Sequence, residues 1–241
     1  MKFFGDEVGI EFVSFGFAHI LLFVFVILGT ALIIIFRKQL RNWKHERKAM
    51  KIVAATALVW ELGLYAWYIF NGTWTWEGSL PIGLCAFTLY IGIFALYFKK
   101  FQLFAVGYFW TWGAIASVLF PDILFSYDRY RFYQFMFGHV NFFLMFIYMI
   151  FVYKWYPTWD SWKRSCIALT SIVFILIIAS NATGANLMFM LESDGTPFEI
   201  FEGYGYALYL LGVISMSFGI ILIWMVPFAI YHKRNKKVEI N

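Results

Sequence analysis

Charged residues are scarce in this 241-residue chain: Asp, Glu, Lys and Arg together make up only 14% of it, against about 25% in an ordinary soluble domain. Proline is rare, with five residues, and cysteine occurs only twice. The low charge excludes a disordered chain, and two cysteines exclude a secreted disulfide scaffold. Apolar residues instead reach 62%, aromatic residues 23% and the mean hydropathy +0.72. This composition disfavours a soluble enzyme and predicts that most of the chain lies in lipid.

Short motifs that carry familiar enzyme chemistry are also missing. The sequence has no G-x-x-x-x-G-K-[ST] phosphate loop, no H-E-x-x-H or C-x-x-C metal motif and no G-x-S-x-G nucleophile elbow. An ATP-driven pump is therefore excluded for this chain by itself, and we expect no metal and no cofactor. Cys85 and Cys166 are expected near opposite faces of the bilayer, so they are predicted to be two free thiols.

Long apolar stretches dominate the chain. A membrane-spanning helix needs about 20 mostly apolar residues, and continuous runs of this length indicate helices rather than barrel strands. Seven stretches meet this requirement: residues 12–36, 52–70, 80–98, 101–120, 132–153, 166–190 and 204–231. The sequence thus predicts an all-α membrane protein, in which residues 1–241 form a single domain that is a seven-transmembrane-helix bundle.

The charges in the loops predict how the bundle is oriented. Of the 19 Lys and Arg residues, all but Lys2, Arg129 and Arg131 lie in loops on one side. By the positive-inside rule, the N-terminus is outside and the C-terminus is cytoplasmic. The basic residues form short runs beside the spans, as is typical of juxtamembrane loops, so the net charge of +5 does not indicate nucleic-acid binding.

Polar side chains inside the predicted spans are the first candidates for function, because such groups are unfavourable in lipid. At about 1.5 Å per residue, four helices bring them to one depth below the outer surface, which predicts a polar pocket that opens outward. Glu61 lies nearer the midplane, where Tyr65, one turn on, is expected to hydrogen-bond it. Taken singly, each residue also fits a plain hydrogen bond between helices. The candidates are His19, Glu61, Cys85, His139, Asn141, Asn181 and Asn186.

Cys85 and His139 form the most informative pair among these candidates. A cysteine nucleophile needs a base to remove its proton, and a nearby histidine provides one. Such pairs are far apart in sequence and close in the fold. Cys166, near the cytoplasmic end of its helix and without a predicted polar partner, is interpreted as a packing residue.

Four short motifs lie at or near the ends of predicted spans: Leu80-Pro-Ile-Gly-Leu-Cys85, Phe120-Pro-Asp122, Arg131-Phe-Tyr-Gln-Phe-Met-Phe-Gly-His139 and Asn181-Ala-Thr-Gly-Ala-Asn186. Their order and spacing resemble the YwaF family of bacterial membrane proteins, which is related to the transmembrane protein 164 family of animals. The resemblance covers almost the whole chain. It implies an integral protein of the bacterial plasma membrane.

The resemblance also implies an activity, because the animal relative is described as a lipid acyltransferase that uses a Cys and a His. Matched motif to motif, these roles fall on Cys85 and His139. Family members often show a His two residues before the Cys, where this sequence has Gly83.

The first functional hypothesis is therefore a membrane-lipid acyltransferase that acts from the outer half of the bilayer. Cys85 would attack an acyl ester of a phospholipid, and His139 would take the thiol proton. Asn181 or Asn186 would donate hydrogen bonds to the developing oxyanion, and Glu61 would orient or charge-balance the site. We expect membrane phospholipids as partners and no nucleic acid.

Two alternatives stay open from the residues alone. A seven-helix transporter or small-molecule receptor would bind a solute in the polar pocket, with Glu61 carrying a proton or ion. A structural or partner-binding membrane protein would need the polar residues only for stability. In each case His19 is a predicted pocket residue, and a homo-oligomer is compatible with the sequence.

Overall fold

The computed structural model describes residues 2–76, 78–121, 123–193 and 196–238, with side chains through residue 235. Asp122 of the Phe120-Pro-Asp122 motif thus lies outside the described residues. Within these ranges the chain has nine α-helices and no β-strand, which confirms the all-α prediction. The helices are α1 Phe17–Ile35, α2 Arg37–Asn42, α3 Glu46–Asn71, α4 Leu84–Phe98, α5 Phe101–Gly107, α6 Trp112–Leu119, α7 Tyr130–Phe151, α8 Trp159–Thr183 and α9 Tyr206–Val238.

Six helical segments are long and apolar enough to cross a membrane: α1, α3, the α5–α6 pair, α7, α8 and α9. The remaining predicted span corresponds to α4, which is apolar but has only 15 residues. At 1.5 Å per residue α4 is about 22 Å long, shorter than the ~30 Å hydrocarbon core of a bilayer. The helices therefore support a membrane protein, and the count of seven spans stays a prediction.

Helices α1 and α4 begin four or five residues later than the apolar runs predict. Helix α1 begins at Phe17 because the preceding backbone has other partners: the Phe12 N–H donates to the Leu124 carbonyl at 3.1 Å, and Gly16 is extended. Helix α4 begins at Leu84, since the backbone of its N-cap residue, Gly83, is also extended. Hydropathy does not detect these features of the backbone.

Helix α8 is displaced from the prediction at both ends. It begins at Trp159, ahead of the predicted start, because Thr158 and Ser161 form a capping box around its first turn. It ends at Thr183, where Gly184 adopts the left-handed conformation with φ 76°. The motif Asn181-Ala-Thr-Gly-Ala-Asn186 therefore contains the end of the helix, and its residues from Gly184 to Asn186 lie beyond that end.

The helices are arranged with an inner and an outer group. Over an apolar stretch of 18 residues, 50% of the residues are buried in α7 and 56% in the α5–α6 segment, against 11–22% in α1, α3, α8 and α9. The exposed side chains of the outer helices include many large apolar ones, such as Phe17 and Phe70. Such a surface is stable in lipid and not in water.

The centre of the bundle is built around Phe146 of α7, which is only 1% exposed. A Cβ at Gly92 of α4 would lie 2.9 Å from its ring, and a Cβ at Gly107 of α5 would lie 2.8 Å from it. Both distances are shorter than real Cβ contacts, so only glycine fits at either position. The two glycines therefore let α4 and α5 approach α7 closely.

Two arginines cap the C-termini of the inner helices. The last carbonyls of a helix have no donor within it, and here Arg41 and Arg47 supply donors from α2 and α3. The acceptors are the carbonyls of Phe151 and Val152 at 2.8 Å for Arg41, and those of Leu96 and Tyr97 for Arg47. Lys99 and Lys154 follow the same helix ends. We call this region, defined by Arg41, Arg47, Lys99 and Lys154, the basic end of the bundle.

The N-terminal segment packs over the opposite end. The Arg129 guanidinium donates to the Glu7 carbonyl at 2.9 Å and pairs with Asp128 at 2.6 Å, and Asp128 accepts the Ile10 N–H. A Cβ at Gly9 would clash with the Asp128 carboxylate and the Arg129 guanidinium, so a larger residue there would displace this ion pair. Which end faces the cytoplasm stays a prediction from the loop charges.

We predict that Gly92→Ala destabilises the protein by about 1–3 kcal/mol, because the added methyl group overpacks the Phe146 ring. For a chain of this size each kcal/mol lowers the unfolding temperature by about 2–4 °C, measured on protein purified in detergent. The matched control is Gly219→Ala in α9, where nothing lies within 4 Å of the added Cβ. An unfolding temperature for Gly92→Ala equal to that of the control would contradict the packing described here.

Candidate functional site

Cys85 lies in the first turn of α4 and is partly buried. Its Sγ lies 3.7 Å from the Ser117 hydroxyl of α6, within hydrogen-bond range for sulfur. Gly113, one turn earlier on α6, leaves space beside the sulfur: a Cβ there would lie 3.6 Å from Sγ. Cys166 packs against the core from α8, and both cysteines are free thiols, as predicted.

His139 of α7 has one ring nitrogen engaged and one unused. Its Nδ1 lies 2.8 Å from the Phe135 carbonyl. A carbonyl can only accept, so Nδ1 carries the proton, and Nε2 of the neutral ring keeps a lone pair. No hydrogen bond from the described residues reaches Nε2. A histidine in this state can accept a proton from a thiol.

The register of α4 against α7 brings Cys85 and His139 to one level. The two helices run in the same direction, since Lys99 beyond α4 lies over the Tyr153 ring beyond α7, at 4.5 Å. Gly92 lies seven residues before Lys99, Phe146 lies seven residues before Tyr153, and Gly92 is in contact with Phe146. Cys85 and His139 lie seven residues before Gly92 and Phe146, respectively. Seven residues are nearly two full turns, with a drift of only ~20°.

It follows that Cys85 and Gly92 lie on one side of α4, and that His139 and Phe146 lie on one side of α7. The thiol and the imidazole are thus on the sides of the two helices that meet at Gly92. They form no hydrogen bond with each other: the Cys85 thiol contacts Ser117, and only Nδ1 of His139 is engaged, by the Phe135 carbonyl. Catalytic pairs are often this loose without substrate.

His19 has the opposite arrangement to His139. It is completely buried, and its Nδ1 accepts the Phe15 N–H at 2.9 Å. The proton is therefore on Nε2, which donates to the Val118 carbonyl at 2.6 Å. With both nitrogens engaged, His19 has no lone pair for catalysis. It holds the end of α6, directly beside Ser117.

Glu61 belongs to a polar network that joins three helices. The predicted contact with Tyr65 is confirmed, because the Tyr65 hydroxyl donates to Oε1 at 3.2 Å. The Gln134 amide donates to Oε2 at 3.3 Å and itself accepts from Arg131, while Tyr65 also contacts Tyr90 at 3.3 Å. Glu61 is only 7% exposed. The network links α3, α4 and α7.

An apolar cavity of about 590 Å³ lies close to this network. It runs between α3, the start of α7 and the N-terminal segment, and its lining includes Gly63, Trp67, Phe70 and Tyr130. Its volume is in the range of small-molecule sites. Neither Cys85 nor His139 belongs to its lining.

The two predicted amides make local contacts. Asn181 donates to the Ile177 carbonyl and to the Tyr206 hydroxyl of α9, each at 2.8 Å. Asn186 braces the loop after α8, where its Oδ1 accepts the Leu191 N–H at 3.0 Å. No hydrogen bond joins either amide to Cys85, Ser117 or His139. Asn181 lies on α8, which packs against α5 and α9, and Asn186 lies beyond the end of that helix.

Three further polar residues are absent from the sequence-derived candidates: Ser117 of α6, Gln134 of α7 and Glu46 of α3. Ser117 and Gln134 lie within predicted spans, which is the signal that identifies the other candidates, whereas Glu46 lies in a charged stretch before the second span and gives no such signal. Within the described ranges, no group of three or more His, Cys, Asp or Glu side chains is placed to hold a metal ion.

We predict that His19→Phe destabilises the protein by about 1–3 kcal/mol, because it leaves the Phe15 N–H and the Val118 carbonyl without these partners. The matched variant His139→Phe should have a smaller effect, since the Phe135 carbonyl keeps its backbone helical donor. Thermal unfolding of both purified variants measures the difference. Equal unfolding temperatures for His19→Phe and the unsubstituted protein would contradict the positioning role.

The comparisons with known proteins identify a family. The model of the TMEM164 family matches residues 14–229, a range that includes Cys85, Ser117 and His139. No curated protein and no solved structure matches the chain. The resemblance to the YwaF family stays a prediction. Because the family match spans most of the sequence, the chain belongs to the TMEM164 family of membrane proteins.

Proposed function

We propose that the protein is a Cys/His-dependent membrane-lipid acyltransferase, with Cys85 as the nucleophile and His139 as the general base. The observation that carries the proposal is the free lone pair on Nε2 of His139, at the level of the Cys85 thiol. The other histidine of the inner region, His19, has no such lone pair. The two residues are also those that the resemblance implies.

The reaction would proceed in two balanced steps. In the first, Cys85 Sγ attacks the carbonyl carbon of a phospholipid ester while its proton passes to Nε2 of His139. The carbon–sulfur bond forms, the ester carbon–oxygen bond breaks, and the lysophospholipid leaves as an alcohol with the proton from His139. In the second, an acceptor hydroxyl gives its proton to Nε2 and attacks the thioester. The carbon–sulfur bond then breaks, and the thiolate regains its proton from His139.

Several neighbouring groups would support this chemistry. The Ser117 hydroxyl can donate a hydrogen bond to the sulfur as negative charge develops on it. Asn181 and Asn186 remain proposed oxyanion donors, although each amide is engaged by local partners in this structure. Nothing lies within 4 Å of a Cβ built at Gly83, so the structure leaves room at this position for the histidine that family members often have.

The expected orientation assigns the site to one half of the bilayer. Cys85 lies at the start of α4, remote from the basic end, so the positive-inside rule assigns it to the outer half of the bilayer. Substrate phospholipids would then enter sideways from the outer leaflet of a bacterial plasma membrane. Glu61 would act as a charge-balancing group within the same half of the bundle.

We predict that Cys85→Ala lowers acyl transfer by at least ~100-fold, because the nucleophile is lost. Vesicles that contain the purified protein, a phospholipid with a deuterated acyl chain and a lysophospholipid acceptor would be followed by lipid mass spectrometry. Cys166→Ala is the matched control and should retain full activity. His139→Gln should also lose activity while it keeps the unfolding temperature. Transfer that persists in Cys85→Ala would contradict the proposal.

A seven-helix transporter or small-molecule receptor remains the alternative, favoured by the Glu61 network beside the apolar cavity. In that case solute binding or uptake depends on Glu61, and Cys85→Ala has no effect. Glu61→Gln keeps the size of the side chain, so that Tyr65 and Gln134 remain within its reach. Loss of uptake in Glu61→Gln together with full uptake in Cys85→Ala would favour the alternative.

A further inference from the structure

A second polar site lies at the basic end, where a cavity of about 210 Å³ opens between the C-termini of α4 and α7. Its lining consists of Arg41, Glu46, Lys99, Val152, Tyr153 and Lys154. Neither the sequence-derived candidates nor the proposed acyl transfer includes these residues. The cavity is smaller than the ~300–1,000 Å³ of typical drug-sized sites, so it suits a small group.

Three cations reach this cavity from three separate segments of the chain. Arg41 comes from α2, Lys99 follows α4, and Lys154 follows α7. The Arg41 guanidinium is held in place by the carbonyls of Phe151 and Val152, and its remaining N–H groups are left for another acceptor. The arrangement therefore includes one immobilised cation and two adjustable ones.

The single carboxylate of the cavity does not neutralise these cations. Glu46 is 8% exposed and accepts hydrogen bonds from the hydroxyls of Tyr148 at 3.0 Å and Tyr153 at 2.7 Å. It forms no ion pair with Arg41, Lys99 or Lys154 within the described part of the chain. Three positive charges thus surround the cavity against one negative charge.

The two lysines of the cavity occupy unusual backbone positions beyond their helices. Lys99 and Lys154 have φ values of 54° and 59°, in the left-handed region that favours glycine. The left-handed residues that end α3 and α8 are indeed glycines, Gly72 and Gly184. Phe15, Met188 and Phe189 also have positive φ values, but of the helix ends compared here lysine occurs at the two that border the cavity, where it adds positive charge.

We propose that the cavity at the basic end binds a phosphate group, either in the headgroup of an anionic phospholipid or as a soluble phosphate. Phosphate oxygens accept charge-assisted hydrogen bonds from lysine and arginine together, and basic pockets at the cytoplasmic ends of helices suit anionic headgroups. The cavity is separate from the acyl-transfer site, because Lys99 lies 14 residues from Cys85, about 21 Å along α4. The inference therefore stands independently of the proposed function.

The test uses the full chain in detergent, with phosphatidylglycerol binding measured by native mass spectrometry and inorganic phosphate binding by calorimetry. The variant is Lys99→Gly with Lys154→Gly, which removes both charges and relaxes the backbone. We expect the dissociation constant to rise at least about tenfold, equivalent to 1.4 kcal/mol. A purely structural role for the lysines predicts unchanged binding, since glycine satisfies the same φ values. The control, Lys38→Gln with Lys48→Gln, removes equal charge from exposed residues outside the cavity.

The two probes separate the sources of phosphate. Binding of phosphatidylglycerol alone identifies a lipid headgroup, and binding of inorganic phosphate identifies a soluble anion; loss of either in the glycine variant supports the site. An equal loss in the control would mean that the surface charge attracts anions without a defined site, and would overturn the proposal. Unchanged binding in the glycine variant, or no binding of either probe, would also overturn it.

Discussion

The contact of Phe146 with the backbones of Gly92 and Gly107 is the constraint on which the rest of the bundle depends. A bulky ring on α7 occupies the space that side chains on α4 and α5 would otherwise fill. This contact fixes the register of α4 against α7, because the ring can pack only where both partners lack a Cβ. This register places Lys99 over Tyr153 two turns toward the basic end. Two turns in the opposite direction, it brings Cys85 and His139 to one level.

His19 and His139 differ through their hydrogen bonds, and the difference assigns them separate tasks. His19 has both nitrogens engaged: Nδ1 accepts the Phe15 N–H ahead of α1, and Nε2 ties α1 to Val118 at the end of α6, next to Ser117, which contacts the Cys85 sulfur. His139 uses only Nδ1, on a carbonyl of its own helix, and keeps Nε2 available. Structural support and proton transfer are therefore divided between residues that hydropathy alone treats as equivalent.

The sequence predicts the helices better than their ends. Long apolar runs find every long helix, because burial in lipid requires them. The ends depend on particular hydrogen bonds that hydropathy does not detect, such as those of the Thr158 capping box of α8 and the bond between Phe12 and Leu124, which are far apart in the sequence. The contact of Tyr65 with Glu61 was predictable because it is local, four residues apart on one helix.

For the candidate site, the sequence predicts depth but not the angular position of a side chain around its helix. Cys85, His139 and the amides of Asn181 and Asn186 have similar predicted depths. The amides are nevertheless on or beyond α8, which packs against α5 and α9, while Ser117 of α6 is the residue that contacts the thiol. Only the packing of the helices decides which side chains at one depth meet.

The central claim is that the Cys85 thiol carries an acyl group during turnover, and intact-protein mass spectrometry tests it most directly. Protein incubated with membrane phospholipids should gain the mass of one acyl chain, which hydroxylamine removes and which Cys166→Ala retains. The same adduct should be absent from Cys85→Ala. No adduct on the unsubstituted protein, or an equal adduct on Cys85→Ala, would contradict the account.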